Sequence, residues 1–218
     1  MLLSRDPESL TEGLTLVTHH QTAGIGRLGR SWESEPGDGV MMSFVFRKKD
    51  SLLPLFVGTA LIKAIEKHLP DVQLKWPNDL VIQDLDGKTW KLGGIVLQRH
   101  EKDSNVVVAG IGINIKFSGS RPTDEATSLQ DWMENLPDVN QLIFEIIKQL
   151  SIPISNVVEV YKKSSATIGK EVIVQMLNAP DVIGRAVDVS DAGGLVVETL
   201  NGIVEVQTGD VKHLRSSE

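Results

Sequence analysis

The sequence predicts an α/β (α+β) domain, with a mixed central sheet flanked by helices, followed by a small all-β module. Three observations carry this. Residues 40–47 form a nearly continuous apolar run, the pattern of a strand covered on both faces. Segments with helical apolar spacing alternate with short strand candidates before about Thr167. Beyond that point only short strands and turn signals remain.

In chain order, residues 14–20 are β-rich, and residues 21–39 carry so many glycines that a long mobile loop between two strands is expected. Ser51 is placed to cap a helix running to about His68. Leu55, Ala60, Leu61, Ile62 and Ile65 supply its apolar surface, and Pro70 ends it. Strands are expected at 72–75, 80–83 and 91–98, the last two joined by a turn at Asp86-Gly87, and again at 105–114. Two helices should start near Asn140 and Ile154, with Leu142, Ile146, Ile147 and Leu150 on one face of the first. The boundary then falls between residues 1–166 and 167–218. In the second part Asp191-Ala192-Gly193-Gly194 and Asn201-Gly202 read as turns, the latter a favoured two-residue hairpin turn. A module of about fifty residues is marginal alone, so it should pack on the first domain.

Composition narrows the function classes. A chain of 218 residues with 41% hydrophobic and 23% charged side chains can bury a core and is neither disordered nor fibrous. Twenty-two basic against 29 acidic residues give a net charge of −7, which disfavours nucleic acid or an anionic membrane as general partner. The absence of cysteine excludes disulfides, thiolate nucleophiles and cysteine-ligated metal sites. No apolar run approaches the ~20 residues of a membrane span. The opening MLLSRDPESL is charged where a signal peptide is apolar. A cytoplasmic protein that binds small ligands or proteins is therefore expected.

Four motifs carry candidate chemistry. Residues 24–31, GIGRLGRS, satisfy a dinucleotide-type glycine pattern and nearly a phosphate-loop pattern. Both require a helix to begin there, and WESEPGDG is a poor helix start. What remains is a glycine loop in which Arg27 and Arg30 can neutralise an anion, or an ordinary solvated loop. Lys75-Trp76-Pro77-Asn78-Asp79 gathers a cation, an amide and a carboxylate at a strand end, as a ligand site or a structural turn. Lys91 precedes Gly93, Gly94 and Ile95, where a ligand or a second backbone can approach; a solubilising charge is the alternative. Asn114 ends an apolar strand and either offers its amide to a purine edge or makes a turn. The adjacent His19 and His20 face opposite sides of a strand and receive no site.

In order, GIGRLGRSW, KWPNDL, KLGGIVLQ and VVAGIGINI resemble the motifs of biotin protein ligases. The tail segments IGKEVIVQ, IGRAVDVSDAGGLVVE and GDVKHLR resemble that family's small SH3-like barrel. The resemblance implies an ATP-dependent ligase of the short form, without an N-terminal DNA-binding domain or repressor role. It would make biotinyl-5′-adenylate from biotin and ATP with Mg²⁺, then pass biotin to a lysine of a biotin carboxyl carrier domain of a carboxylase. The implied roles are Gln21 on the biotin head group, Gly24, Ile25, Gly26, Arg27, Gly29 and Arg30 in the closing loop, Trp32 and Asn114 on adenine, and Gly94 and Ile95 beside the ligand. Arg27 and Lys91 would offset the charge of the acyl phosphate, with Asn78, Asp79 and Lys75 beside the reacting centre; Asp79 would orient or deprotonate the incoming lysine.

The chain departs from the family in two respects. Ile25 stands where the family usually has an arginine, and no Ser-Thr-Asn-like segment precedes Leu14. These imply weaker ligand binding, a partly open biotin pocket and an unpaired sheet edge through which two copies could associate. They favour one rival reading, a paralogue that binds biotin or a carrier without making adenylate; a second rival is a lipoate-type acyl ligase, which shares the core architecture.

Overall fold

The computed structural model describes residues 2–214. Strands β1 (Thr15–Thr18), β2 (Gly24–Ile25), β3 (Ser31–Trp32) and β4 (Gly39–Arg47) precede helix α1 (Leu53–Ile65). Then come β5 (Gln73–Lys75), β6 (Asp79–Gln83), β7 (Thr89–Arg99) and β8 (Val106–Asn114), followed by α2 (Val139–Leu150) and α3 (Val157–Lys163). Six strands form one sheet in the order β1-β4-β8-β7-β6-β5.

The α/β class holds, but the mixed sheet is corrected. All its ladders are antiparallel, and the parallel contacts are isolated bridges, Leu74 to Ser165 and Lys91 to Ala126. Connection length is the reason for three of the five ladders. The links between β5, β6, β7 and β8 are too short for the crossover that a parallel pair needs, so each makes a hairpin.

Alternation along β4 and β8 sets two faces. Val40, Met42, Phe44 and Phe46, with Val107, Ala109, Ile111 and Ile113, enter the large core under the helices. On the opposite face Val45, Val106 and Val108 pack with Leu2 and Leu10 from the N-terminal segment. Burial on both sides explains the unbroken apolar run, each such side chain contributing roughly 1.5–3 kcal/mol.

Ser51 does not cap α1. Leu52 occupies the cap without a side-chain bond, and Asp50 Oδ1 accepts the Leu52 N–H at 2.9 Å. Pro54 lies in the first turn, where its missing N–H costs nothing. Helix α2 starts at Val139 because Asp138 caps it, accepting the Gln141 N–H at 2.9 Å. Helix α3 starts only at Val157, after Asn156 in a left-handed conformation.

The last five strands are β9 (Glu171–Gln175), β10 (Val182–Val189), β11 (Leu195–Thr199), β12 (Gly202–Val206) and β13 (Asp210–His213). They pair antiparallel in the order β12-β11-β10-β9-β13, so β12 and β13 are edges and the SH3-like set does not close into a barrel. Thr199 pairs with Gly202, which moves the hairpin turn to Leu200-Asn201. Val172, Val174, Leu195 and Val197 join the same core as the helices. Polar ties add to this docking: Trp76 Nε1 donates to Gly193 O at 3.1 Å, and Lys162 Nζ lies 2.9 Å from Asp188 Oδ1.

Residues 21–39 are not one structureless loop. β2 and β3 pair, Gly24 with Trp32 and Ile25 with Ser31. Arg30 N–H closes the turn on Arg27 O at 3.2 Å, with Leu28 and Gly29 both at positive φ. That is the geometry of a tight hairpin turn, and glycine suits its second corner.

Candidate functional site

The open face of the sheet acquires its chemistry from a β-bulge. Leu80 pairs with Gly93, whereas Val81 pairs with Lys91, so Leu92 is the extra residue on β7. Leu92 is buried in the helix-side core, and the reset alternation leaves Lys91 and Gly94 on the same open face. A Cβ at Gly94 would lie 3.5 Å from both Lys91 Nζ and Trp32 Cζ3. One at Gly112, the cross-strand partner of Gly94, would lie 2.6 Å from the Trp32 ring. Trp32 thus rests on glycine backbone: at Gly112 any side chain would collide with the ring, and at Gly94 a Cβ would just touch it.

Beside it runs a polar chain. Lys91 Nζ pairs with Asp79 Oδ1 at 2.8 Å. The neighbouring Asn78 accepts Arg27 Nη1 on Oδ1 at 2.8 Å and donates Nδ2 to Ile95 O at 2.9 Å. The two cations picked out in the sequence therefore bind consecutive residues, Asn78 and Asp79. The Lys91 backbone is clamped as well, its N–H on Glu125 O at 2.7 Å and its carbonyl accepting Thr127 N–H at 2.8 Å. Lys75 ends β5 opposite Asp79.

Gln21, Gly24 and Trp32 line a cleft of about 530 Å³, together with His20, Glu35 and Phe117 among others. Gly24 has no room for a side chain, since a Cβ there would lie 2.4 Å from Trp32 O and 2.6 Å from Gln21 Oε1. Arg27, Lys91, Asn78 and Asp79 do not line this cleft; Trp32 lines it and sits over Gly94, the glycine that Lys91 also flanks. Gly26 N–H donates to Arg30 O at 2.7 Å, which fixes the base of the turn carrying Arg27 and Gly29. Ile25, at 57% exposure, points to solvent. Asn114 is buried and donates Nδ2 to Thr127 O at 2.9 Å. Thr127 Oγ1 in turn donates to Asp131 Oδ2 at 2.9 Å and accepts Trp132 Nε1 at 2.7 Å. Burial opposes ionisation of Asp131, yet bonds from Ser128 and Thr127, with Arg121 nearby, hold its carboxyl below the usual range.

Two further groups bound this region. Burial, with Asp79 as a second cause, pushes the Tyr161 phenol well above its ordinary range, so it stays protonated. His213 Nδ1 is 3.4 Å from Thr89 Oγ1 and its Nε2 is 3.3 Å from Thr167 Oγ1; burial, then Lys75 and Lys170, lower its pKa to about 4.

Residues that sequence reasoning passed over include His20, Gly112, Thr127, Gly209 and Asp210. Gly112 had a signal, since glycines alternate with isoleucines in GIGINI and leave one strand face empty. Gly209 and Asp210 lie in the tail GDVKHLR, which carries no local sign of a role.

Residues 2–115 match the model of the biotin/lipoate A/B protein ligase family, and residues 167–214 match that of the biotin protein ligase C terminal domain. A Mycobacterium tuberculosis biotin--[acetyl-CoA-carboxylase] ligase is 31% identical over 94% of this chain and 80% of its own length. The Escherichia coli bifunctional ligase/repressor BirA is 28% identical over 100% of this chain and 71% of its own. Among solved structures, the Aquifex aeolicus biotin protein ligase in complex with biotin and ATP superposes with a TM-score of 0.82 at 26% identity, covering 99% of this chain and 93% of that one.

Proposed function

The chain belongs to the biotin/lipoate A/B protein ligase family, and on that premise we propose that it activates biotin with ATP and transfers it to a lysine of a biotin carboxyl carrier domain. The observation that carries this reading is the meeting of Arg27 and Lys91 on adjacent residues of the Asn78–Asp79 pair, beside Trp32 on its glycine bed.

In the first step a biotin carboxylate oxygen attacks the α-phosphorus of ATP; the new O–P bond forms as the bond to pyrophosphate breaks. Two anions must come together, and Arg27 and Lys91 supply the compensating charge. Trp32 offers its ring to adenine and Asn114 its amide, while Gln21 faces the biotin end of the cleft. Gly24, Gly26 and Gly29 let the loop backbone approach and Gly94 forms the floor, whereas Ile95 turns its side chain into the helix-side core and serves only through the carbonyl that holds Asn78. In the second step the carrier amine attacks the acyl carbon, the C–O bond to AMP breaks, and the amine loses a proton. Asp79, once a phosphate draws Lys91 away, is free to orient that amine or take its proton. Lys75 adds positive potential from the neighbouring strand.

Among the described residues no three His, Cys, Asp or Glu side chains gather where they could hold a metal. Mg²⁺ would come with the nucleotide and offset part of the phosphate charge.

The test is to mix protein, ATP and Mg²⁺ with biotin or lipoate and follow pyrophosphate release, then label transfer to a carrier domain. Biotin-dependent release and transfer are expected; release with lipoate alone, or with neither acid, overturns the reading. Arg27→Gly should release the adenylate and label stray lysines, and a variant that stays selective removes Arg27 from this role.

A further inference from the structure

The turn that carries the two loop arginines is held by the C-terminal module rather than by apolar burial. Arg27 Nη1 lies 3.3 Å from Asp210 Oδ1, and Nη1 and Nη2 both donate to Gly209 O at 3.3 and 3.2 Å. Arg30 Nη2 pairs with the other oxygen of the same carboxylate. One carboxylate therefore receives guanidinium groups from both ends of a four-residue turn. Within and next to that turn, Leu28 and Ile25 are 58% and 57% exposed, and Leu28 holds a left-handed φ of 55°. A leucine in that conformation lacks glycine's freedom, so the turn depends on its polar ties. The other partner is rigid. Asp210 pairs with Gln175 across the β13–β9 ladder, and a Cβ at Gly209 would lie 2.5 Å from Val174 Cγ1.

We propose that Asp210 is a positioning residue: it latches the 24–32 hairpin to the C-terminal module in the free protein and yields both arginines when nucleotide phosphates bind. The proposal rests on the ligase reading, which puts an acyl phosphate beside Arg27. Two guanidinium groups against one carboxylate leave a net positive charge that still attracts a polyanion. Phosphate and carboxylate then compete for the same N–H groups, and a phosphate carrying more charge and more acceptor oxygens wins them. Once unpaired, Asp210 repels the phosphates, so the exchange drives the turn off the module. The bond from Arg27 to Asn78 Oδ1 is the pivot, and exposed Ile25 and Leu28 become available to cover the ligand.

Hydrogen exchange of residues 21–34 in ligand-free protein tests the latch, read with steady-state kinetics of Asp210→Asn. The Gly26 and Arg30 amides, both bonded within the turn, should exchange roughly 5-fold faster or more in D210N. The ATP KM should fall by roughly 3–10-fold with kcat nearly unchanged, and D210E should return both values toward those of the parent protein. Should D210N fold poorly, Arg30→Gln serves instead. Its side chain is 66% exposed, and it should show the same acceleration in smaller measure. Unchanged exchange, a raised ATP KM, or a fall in kcat alone overturns the latch. Faster exchange in a protein with no ligase activity would leave the latch standing and remove the functional reading instead.

Discussion

Strand β8 lays two surfaces side by side. Toward the helices it presents Val107, Ala109, Ile111 and Ile113, all buried in one core. Toward the open side it begins with Val106 and Val108, covered by Leu2 and Leu10, and then turns to Gly110, Gly112 and Asn114. The first surface fills every position; the second stops filling halfway along, and there Trp32, Lys91 and the cleft gather. Stability and chemistry share one strand by dividing its faces, because alternate residues answer to different neighbours.

The comparison can be broken at one residue from each face, taken from the paired strands β8 and β7. Ile111→Ala should cost about 2–5 kcal/mol of stability, measured by denaturant unfolding, and leave the ATP and biotin KM values near those of the parent. Lys91→Ala should do the reverse, slowing adenylate formation by about 10²–10³-fold with little change in Tm, since it removes a half-exposed cation aimed at developing charge. Equal effects of the two substitutions on both measurements would mean that the faces are not separate.

Gly112→Val sharpens the same contrast. Its Cβ would meet the Trp32 ring at 2.6 Å, so the ring must leave its bed. The cost of roughly 1–3 kcal/mol should appear as weaker nucleotide binding in a titration and only slightly in unfolding. If instead the protein unfolds readily and binds nucleotide normally, Trp32 is part of the core and not of the site.

The smallest effect belongs to His213 at the junction of the two sheets. Its folded pKa is lowered from 6.5 to about 4, so between those values the unfolded chain binds the extra proton. The contribution to stability is complete above about pH 6.5 and is lost as pH falls toward 4. Between pH 7 and 5 the parent should therefore lose up to roughly 2 kcal/mol more than His213→Gln, after allowing for the ring's remaining exposure. Parallel losses in the two proteins would place the acid sensitivity elsewhere.

Much of the fold was legible because its signals are local. The apolar run of β4, the face of α2 and the turn signals after Thr167 each need only a few neighbouring residues. Four features escaped the sequence reading, three of them because they are not local. Antiparallel pairing of β4 with β1 and β8 follows from which strands are neighbours, and the bulge at Leu92 exists only where β6 meets β7. The start of α1 is set by Asp50 and Pro54 rather than by the cap-type residue Ser51. The contact between Arg27 and Gly209 joins residues 182 positions apart. For the candidate site, motif resemblance named Arg27, Asn78, Asp79 and Lys91, and the structure brings these four together. The resemblance took in Asp210 only as part of GDVKHLR and gave it no role, because its partners come from the far end of the chain.

Affinity for a non-hydrolysable biotin–adenylate analogue that keeps the phosphate, measured by calorimetry on the parent, Arg27→Gly and Lys91→Ala, addresses the central claim most directly. If both cations hold the acyl phosphate, each variant should bind roughly tenfold more weakly or worse, and the double variant more weakly than either. Equal affinity in all four proteins would contradict it.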